Sequence, residues 1–515
     1  MSDLRQHVWS GLLAGVAAGL AYALVMADQG ELRLFGILLG PLSLRTEIAL
    51  QLLFAMGIGS VFALVFGRLV ATPGSGLMWG VSYGLLWWIA GPLTFCSFLL
   101  DDPVGWSVER GRLAFPFLVG YLVNYGAVLG LAYSVLRGLL TGTLQFRLVR
   151  RTAVDYLRDM VIGGIAGFVG GLAFGAWMER VGVFPLIAGL VHSDSPDVGR
   201  FLHFIISVII GATYGALFRH DIRGTGSSIA WGVAYGFIWW ILGPLTIMPW
   251  WLGQGVQWSL EAGRATFPSL VGHLIYGVLL GLVYSVVDRL WRLLFSESDP
   301  LMREPEGPGT RSLRALGMGI LASVAGGLAF TVVMVKTGAL PVVARLIGHS
   351  SPTAGFLLHM VISAIIGATY GILFRREAYT FGAGMAWGFV YGLIWWFLGS
   401  LSLMPILLGA EVQWSLASAI GNYPSLIGHL AYGGTTALAY QLLVRRYDPT
   451  LRGSFRRVHA DLQRSPGTPA PALWVVALTL GIVLPLLFTR EVSVTQRSSN
   501  PCAVRSANPG SVEHR

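Results

Sequence analysis

One ten-residue stretch occurs three times in the chain. It reads WGVSYGLLWW from Trp79, WGVAYGFIWW from Trp231 and WGFVYGLIWW from Trp387, at intervals of 152 and 156 residues. Other landmarks recur at the same intervals, among them Met26, Met178 and Met334. Self-similarity at a fixed period indicates that one structural unit has been repeated. We call the three copies unit one, unit two and unit three.

The composition identifies the environment of these units. Of 515 residues, 54% are apolar and 12% are charged, about half the ~25% charged share of a soluble domain. The chain also contains 18 tryptophans and 68 glycines. A water-soluble protein could not bury so much apolar surface, so a soluble enzyme, a disordered chain and a nucleic-acid binder are disfavoured.

Apolar runs near the ~20 residues that a helix needs to cross a bilayer recur along the whole chain. They predict thirteen membrane helices, at about 8–26, 47–66, 76–98, 116–136, 160–178, 201–218, 229–249, 267–287, 315–335, 357–374, 384–405, 424–444 and 471–489. Each unit holds four, an even number, so the units are parallel repeats. We number the helices of a unit one to four and call the thirteenth the C-terminal helix.

The predicted fold class is therefore all-α: a polytopic integral membrane protein of three parallel four-helix repeats plus one C-terminal transmembrane helix. The domain boundaries that we predict are 1–142, 143–298 and 299–455 for the three repeats. Residues 456–515 hold a linker, the C-terminal helix and a tail whose composition predicts disorder. A pseudo-threefold arrangement of the units is expected.

Basic residues predict the orientation of these helices. The N-terminus and the loops after even-numbered helices hold 22 of them, whereas the loops after the odd-numbered helices, up to the eleventh, hold 9. Basic loops stay on the cytoplasmic side. We therefore predict a multi-pass protein of the cell inner membrane with a cytoplasmic N-terminus. The two sides are called the arginine-rich end and the arginine-poor end.

Small residues follow one face of helix one and one face of helix three in each unit. In lipid, close backbone approach at such residues supplies packing energy, so we interpret these ladders as structural. The helix-one ladders are Gly11–Gly15–Gly19, Gly163–Gly167–Gly171 and Gly319–Ser323–Gly327. Tryptophans in the arginine-poor loops, among them Trp106, Trp258 and Trp414, are predicted to lie at the bilayer boundary.

Polar residues form a stripe on helix two and another on helix four of units two and three. At 100° per residue each stripe stays within about 80°, and polar atoms inside a bilayer must be paired or face water. Both stripes should therefore face each other or a polar pocket near the arginine-poor end. The candidate residues are His203, Ser207, Tyr214, His273 and Tyr276 in unit two and His359, Ser363, Tyr370, His429 and Tyr432 in unit three.

Unit one departs from this pattern. Gln51 and Tyr121 stand where the other units have histidines, so unit one should lack whatever function the histidines have. One residue is also inserted between Tyr121 and Gly126, which is compatible with a π-bulge.

Two interpretations of the histidines remain open. In the first, neutral imidazoles hydrogen-bond to backbone and fix helix ends. In the second, His203 with His273, and His359 with His429, are ligand pairs for a b-type haem or a divalent metal. No arginine recurs beside both pairs to meet haem propionates, and two ligands are too few for a closed zinc site. Haem is therefore possible but not favoured.

Helices two to four of units two and three resemble the YagU-like inner-membrane proteins. The resemblance rests on an opening His-x3-Ser with a later Gly-Tyr, a glycine-rich helix that ends in proline, and a closing Gly-His before an aromatic residue. These are His203, Ser207, Tyr214, Pro249, Gly272 and His273 in unit two, with the matching residues in unit three. The resemblance implies a small polytopic inner-membrane protein and no established reaction.

No catalytic or nucleotide-binding motif occurs in a credible context, so an enzyme is not favoured. The leading hypothesis is transport or permeation of a small solute through the polar pockets of units two and three, since fused parallel repeats are typical of transporters. The alternatives are a membrane redox subunit with haem or metal on the paired histidines, and a non-catalytic membrane scaffold. The expected partners are the lipid bilayer and a small solute, not a nucleic acid.

Overall fold

The fold consists of helices throughout the described part of the chain. The computed structural model describes residues 2–28, 40–95, 106–140, 153–295, 308–374, 381–447 and 470–489, and no strand occurs in these ranges. Eleven of the helices there are long and apolar enough to cross a membrane. The other two predicted crossings, helix three of unit one and helix four of unit three, are also helices. The all-α polytopic membrane fold is confirmed.

Each unit has the same order of helices. Unit one comprises Ser2–Asp28, Leu44–Phe66, Pro73–Trp88 with a π-helical end Ile89–Phe95, and a fourth helix built from Phe115–Val119, Gly120–Ala127 and Val128–Leu140. Unit two comprises Ala153–Val181, Pro196–Phe218, Thr225–Leu242 with Gly243–Ile247 and Met248–Trp251, and Phe267–Phe295. Unit three comprises Pro308–Thr337, Pro352–Phe374, Phe381–Trp395 with Trp396–Leu403 and Met404–Leu407, and Tyr423–Tyr447.

Short helices occupy the arginine-poor loops. In units two and three, Phe184–Ala188 and Leu340–Ala344 follow helix one. Before helix four lie Val108–Leu113, Leu260–Ala265 and Leu416–Gly421. Ser107, Ser259 and Ser415 cap these last three helices by accepting a backbone N–H.

The four helices of a unit pack through their glycines. Helix one packs against helices two and four, and helix four packs against helix three. A Cβ at Gly319 would meet the carbonyl oxygen of Gly367, and a Cβ at Gly232 would meet that of Gly277. Backbone lies directly on backbone, which confirms that the glycine ladders are packing surfaces.

The residue inserted into helix four of unit one produces a π-helical turn. Gly120–Ala127 is π-helical, whereas the matching parts of units two and three are uninterrupted α-helix. The extra residue is therefore accommodated locally. Tyr125, which follows it, still donates a hydrogen bond to a backbone carbonyl of helix two, as Tyr276 and Tyr432 do in the other units. The expected π-bulge is confirmed.

The C-terminal helix lies among the three units. It comprises Ala470–Leu478, Thr479–Val483 and Leu484–Phe488, and it contacts helix three of all three units. Ala472, Val475 and Leu487 are buried by these contacts. The boundaries predicted after residues 142, 298 and 455, and the tail beyond Thr489, lie outside the described residues, so the division into domains stays a prediction.

Candidate functional site

The helix-two histidines hold the backbone of helix one. His203 Nε2 lies 2.9 Å from the carbonyl oxygen of Gly171, and His359 Nε2 lies 3.1 Å from that of Gly327. A carbonyl can only accept, so these imidazoles carry their proton on Nε2 and donate it. Both side chains are buried. These bonds agree with the first of the two interpretations, in which a neutral imidazole hydrogen-bonds to the backbone.

The helix-four histidines are bonded through the other nitrogen. His273 Nδ1 lies 2.7 Å from the carbonyl oxygen of Ser269, and His429 Nδ1 lies 2.8 Å from that of Ser425. In the described part of the chain, neither Nε2 atom has a hydrogen-bond partner. With the proton on Nδ1, each Nε2 presents a lone pair to whatever lies beyond it.

A glycine of helix three lies opposite each of these Nε2 atoms. A Cβ at Gly243 would be 3.8 Å from His273 Nε2, and one at Gly399 would be 3.6 Å from His429 Nε2. Both glycines belong to the π-helical ends of helix three, at Gly243–Ile247 and Trp396–Leu403. π-Helical turns are frequent at functional sites. Glycine leaves room beside the imidazole that any other residue would reduce.

A phenylalanine of helix one contacts both histidines of each pair. The Phe174 ring centroid lies 5.8 Å from that of His203 and 4.9 Å from that of His273. Phe330 lies 5.2 Å from His359 and 4.6 Å from His429. Sequence reasoning brought the histidines together but missed this ring. The sequence did indicate it, because Phe174 stands three residues after Gly171 and Phe330 stands three residues after Gly327.

The π-helical turn is fastened to the following loop. Trp258 Nε1 donates to Thr246 Oγ1 at 3.0 Å, and Thr246 Oγ1 donates to the carbonyl of Ile241 at 2.9 Å. Trp414 and Ser402 repeat the first bond at 2.8 Å. Trp258 and Trp414 are buried within the protein, where an indole N–H needs such a partner. Their place at the bilayer boundary stays a prediction.

The remaining candidate residues join helices. Tyr276 donates to the carbonyl of Ser207 at 2.7 Å, and Tyr432 does so to Ser363 at the same distance. Tyr214 donates to the carbonyl of Ser228 and Tyr370 to that of Gly384. A hydroxyl that donates to a backbone carbonyl has no second proton to donate to a ligand. The helix-four histidines are therefore the part of the predicted site that stays open to one.

Unit one has a different pair of rings on the same backbone. Tyr22, at the position of Phe174, stacks on Tyr121 with ring centroids 5.4 Å apart. A Cβ at Gly91 would lie 3.7 Å from the hydroxyl of Tyr121. The glycine of helix three thus faces a phenol in unit one and an imidazole in units two and three.

The paired histidines do not fit a haem held between them. Bis-histidine ligation needs both imidazoles to meet one iron from opposite faces of a porphyrin. The ring of Phe174 or Phe330 lies against both imidazoles of its pair, in the space that a porphyrin between them would need. Among the described residues, no group of three or more His, Cys, Asp or Glu side chains could hold a metal ion.

A charged cluster lies at the other end of unit two. The buried carboxylate of Asp288 binds Arg158 and, at 2.7 Å, Arg292. Arg219 Nε lies 3.5 Å from Asp159 and 3.7 Å from Asp288. Sequence reasoning treated these residues as loop charges. The sequence offered one indication of this cluster. Asp159 stands one turn before the glycine ladder of unit two, at the position that His7 has in unit one.

These contacts define an integral membrane protein in which three similar helical units hold polar side chains near one end. No protein-family model matches the chain, and no match was found among curated proteins or solved structures.

Proposed function

We propose that the protein is a transport or permeation protein for a small polar solute, and that the solute binds at His273 and His429. One observation carries the proposal. In both units the helix-four imidazole uses Nδ1 for its own helix and turns Nε2 toward a glycine in a π-helical turn. Such an acceptor, placed inside the membrane with space beside it, suits a solute that donates a hydrogen bond.

The proposal includes the expected environment. The protein lies in an inner membrane with a cytoplasmic N-terminus, so the site opens toward the periplasm. The resemblance to YagU-like proteins is in keeping with this location. Helix-two histidines have a structural role in this proposal, since their Nε2 atoms are used by helix one.

The test is solute flux into liposomes that contain the purified protein. Stopped-flow light scattering after a hyperosmotic jump with glycerol or urea measures entry of these two probes. We expect faster entry than into protein-free liposomes. His273→Asn with His429→Asn keeps a donor near the Nδ1 position and removes Nε2, so the rate should fall to the protein-free value. His273→Gln with His429→Gln keeps a polar group near Nε2 and should retain part of the flux.

Two control variants separate the site from the fold. His203→Gln with His359→Gln can still donate to Gly171 and Gly327 and should leave the flux unchanged. Tyr121→Phe changes the equivalent position of unit one and should also have no effect. Equal rates in the wild type and in a folded Asn double variant would contradict the proposal.

The scaffold alternative also has an observation in its favour. Tyr276, Tyr432 and the helix-two histidines all donate to backbone carbonyls, as groups that only hold helices together do. If wild-type liposomes admit both probes no faster than protein-free liposomes, this alternative takes precedence.

A further inference from the structure

Two of the three junctions between units are closed by the same contact. Helix three of unit one meets helix two of unit two, where Gly74 lies against Phe218. Helix three of unit two meets helix two of unit three, where Gly226 lies against Phe374. Both phenylalanines are fully buried. We call these places the first and second seams, and the corresponding place between unit three and unit one the third seam.

The third seam is open. Gly382 corresponds to Gly74 and Gly226, yet no atom of the described residues lies within 4 Å of a Cβ built there. Phe389 lies about two turns after Gly382 on the same face of helix three. It is 41% exposed, whereas its counterparts Val81 and Val233 are 1% and 3% exposed. Within the described ranges, the surface that binds the next unit in units one and two has no such partner in unit three.

Unit one is also less covered on this side, because Phe66 of helix two is only partly buried whereas its counterparts Phe218 and Phe374 are fully buried. Leu86 is 49% exposed, and its counterparts Ile238 and Ile394 are buried. Trp106 is 72% exposed, whereas Trp258 packs against Gly120 of the preceding unit. The gap therefore has two walls, one from each terminal unit.

The C-terminal helix forms the floor of the gap. Trp474, Ala477, Gly481 and Pro485 are exposed and follow one helical face, while the residues between them are buried or partly buried. At the other wall, Tyr423 and Ile427 of helix four are both 44% exposed, in contrast to the buried Phe267 and Val271 of unit two. The third seam is thus an apolar groove along most of the membrane depth.

One end of this groove carries a guanidinium group. The Cζ atom of Arg445 lies 3.9 Å from the centroid of the Phe381 ring, and Phe381 precedes Gly382 at the mouth of the groove. Among the described residues, no carboxylate forms an ion pair with Arg445. This is the arginine-rich end, which is predicted to face the leaflet where anionic lipids attract basic side chains.

We propose that the third seam is a binding site for an anionic phospholipid. Its acyl chains lie along Phe389 and the exposed face of the C-terminal helix, and its phosphate meets Arg445. An apolar groove with one basic group at a leaflet boundary matches the two parts of such a lipid. A basic pocket between membrane helices is a recurring lipid site. The inference is independent of the proposed solute site, which lies at the opposite end of the helices.

Native mass spectrometry of the full-length protein tests this. Phosphatidylglycerol and phosphatidylcholine with identical acyl chains are added together at equal concentration. We expect one tightly retained phosphatidylglycerol per chain. Arg445→Gln should weaken its retention about fivefold relative to phosphatidylcholine, the loss expected for one basic contact.

A matched variant controls for charge alone. Arg289 occupies the position of Arg445 in unit two, beside the closed second seam, so Arg289→Gln removes the same charge and should leave retention unchanged. Gly481→Leu fills the groove floor at an exposed position and should reduce retention of both lipids. Equal effects of Arg289→Gln and Arg445→Gln would overturn the proposal. So would a lipid-free mass of two chains, which would show that a second copy closes the seam.

Discussion

The arginine-poor ends of unit one and unit two share a backbone but differ in their side chains. The same tyrosine–carbonyl bond joins helices four and two, from Tyr125 to Ala55 in unit one and from Tyr276 to Ser207 in unit two. Above it, Tyr22 and Tyr121 replace Phe174 and His273. The comparison separates a scaffold that the units share from a ring pair that distinguishes unit one from units two and three.

The scaffold is the part that should tolerate least change. We expect Gly319→Leu to abolish folding, because the new side chain meets the backbone of Gly367, which cannot move aside. The cost should exceed the ~1–3 kcal/mol of ordinary overpacking. Gly317, two residues earlier, has open space around it, so Gly317→Leu should leave thermal unfolding in detergent nearly unchanged. Similar behaviour of both variants would contradict the ladder interpretation.

The second largest loss of stability is expected from substitutions in the charged cluster of unit two. Asp288→Ala removes the buried carboxylate that binds Arg158 and Arg292, and breaking a buried ion pair costs about 3–5 kcal/mol. Unit one has Arg137 at this position, where it donates to the carbonyl of Gly67 at 2.7 Å. Thermal unfolding measures the loss. Asp197→Ala, at an exposed ion pair with Arg200, is the control and should have no measurable effect.

The shared tyrosine bonds give a smaller and additive effect. Tyr125→Phe, Tyr276→Phe and Tyr432→Phe each remove one hydrogen bond to a backbone carbonyl, for about 1 kcal/mol each. The bonds are in separate units, so the triple variant should lose the sum. A markedly larger loss in the triple variant would show that the units support one another more strongly than their contacts suggest.

The smallest effect on stability should come from exchanging the ring pair. Tyr22→Phe, Gln51→His and Tyr121→His together give unit one the rings of unit two at nearly constant volume, which costs less than ~1.5 kcal/mol. If the proposed solute site is correct, a third independent site should raise glycerol flux into liposomes by about half. An unchanged flux with a folded protein would show that the π-helical turn of unit one, or its surroundings, prevents function there.

The histidine pairs show how far sequence patterns reach. Helical periodicity predicts that His203 lies near His273, because residues on facing stripes at equal depth meet when the helices pack, and both rings contact Phe174. It could not reveal that Phe174 lies between them, because the direction of an aromatic side chain depends on the free space left by Gly272. Nor could it tell which nitrogen of each imidazole is bonded, since that depends on which carbonyl lies nearby.

The tryptophans show the same limit. An indole in a loop next to a membrane helix predicts a ring at the bilayer boundary, but it does not predict that the rings of Trp258 and Trp414 are buried within the protein. Each finds a hydroxyl in the π-helical turn of its own unit and a neighbouring unit to pack against. Trp106 has the same sequence context and an exposed ring, because it faces the third seam.

By itself the sequence determined that this chain is a helical membrane protein built from one unit used three times. Apolar length, glycine spacing and charge placement are local properties, and each has one stable solution in a bilayer. Only the tertiary structure decided where the C-terminal helix lies, which imidazole nitrogen remains available and which junction stays open. These depend on contacts between residues far apart in the chain. Similar repeats acquire different surroundings because the first and the last of three each lack one neighbouring unit.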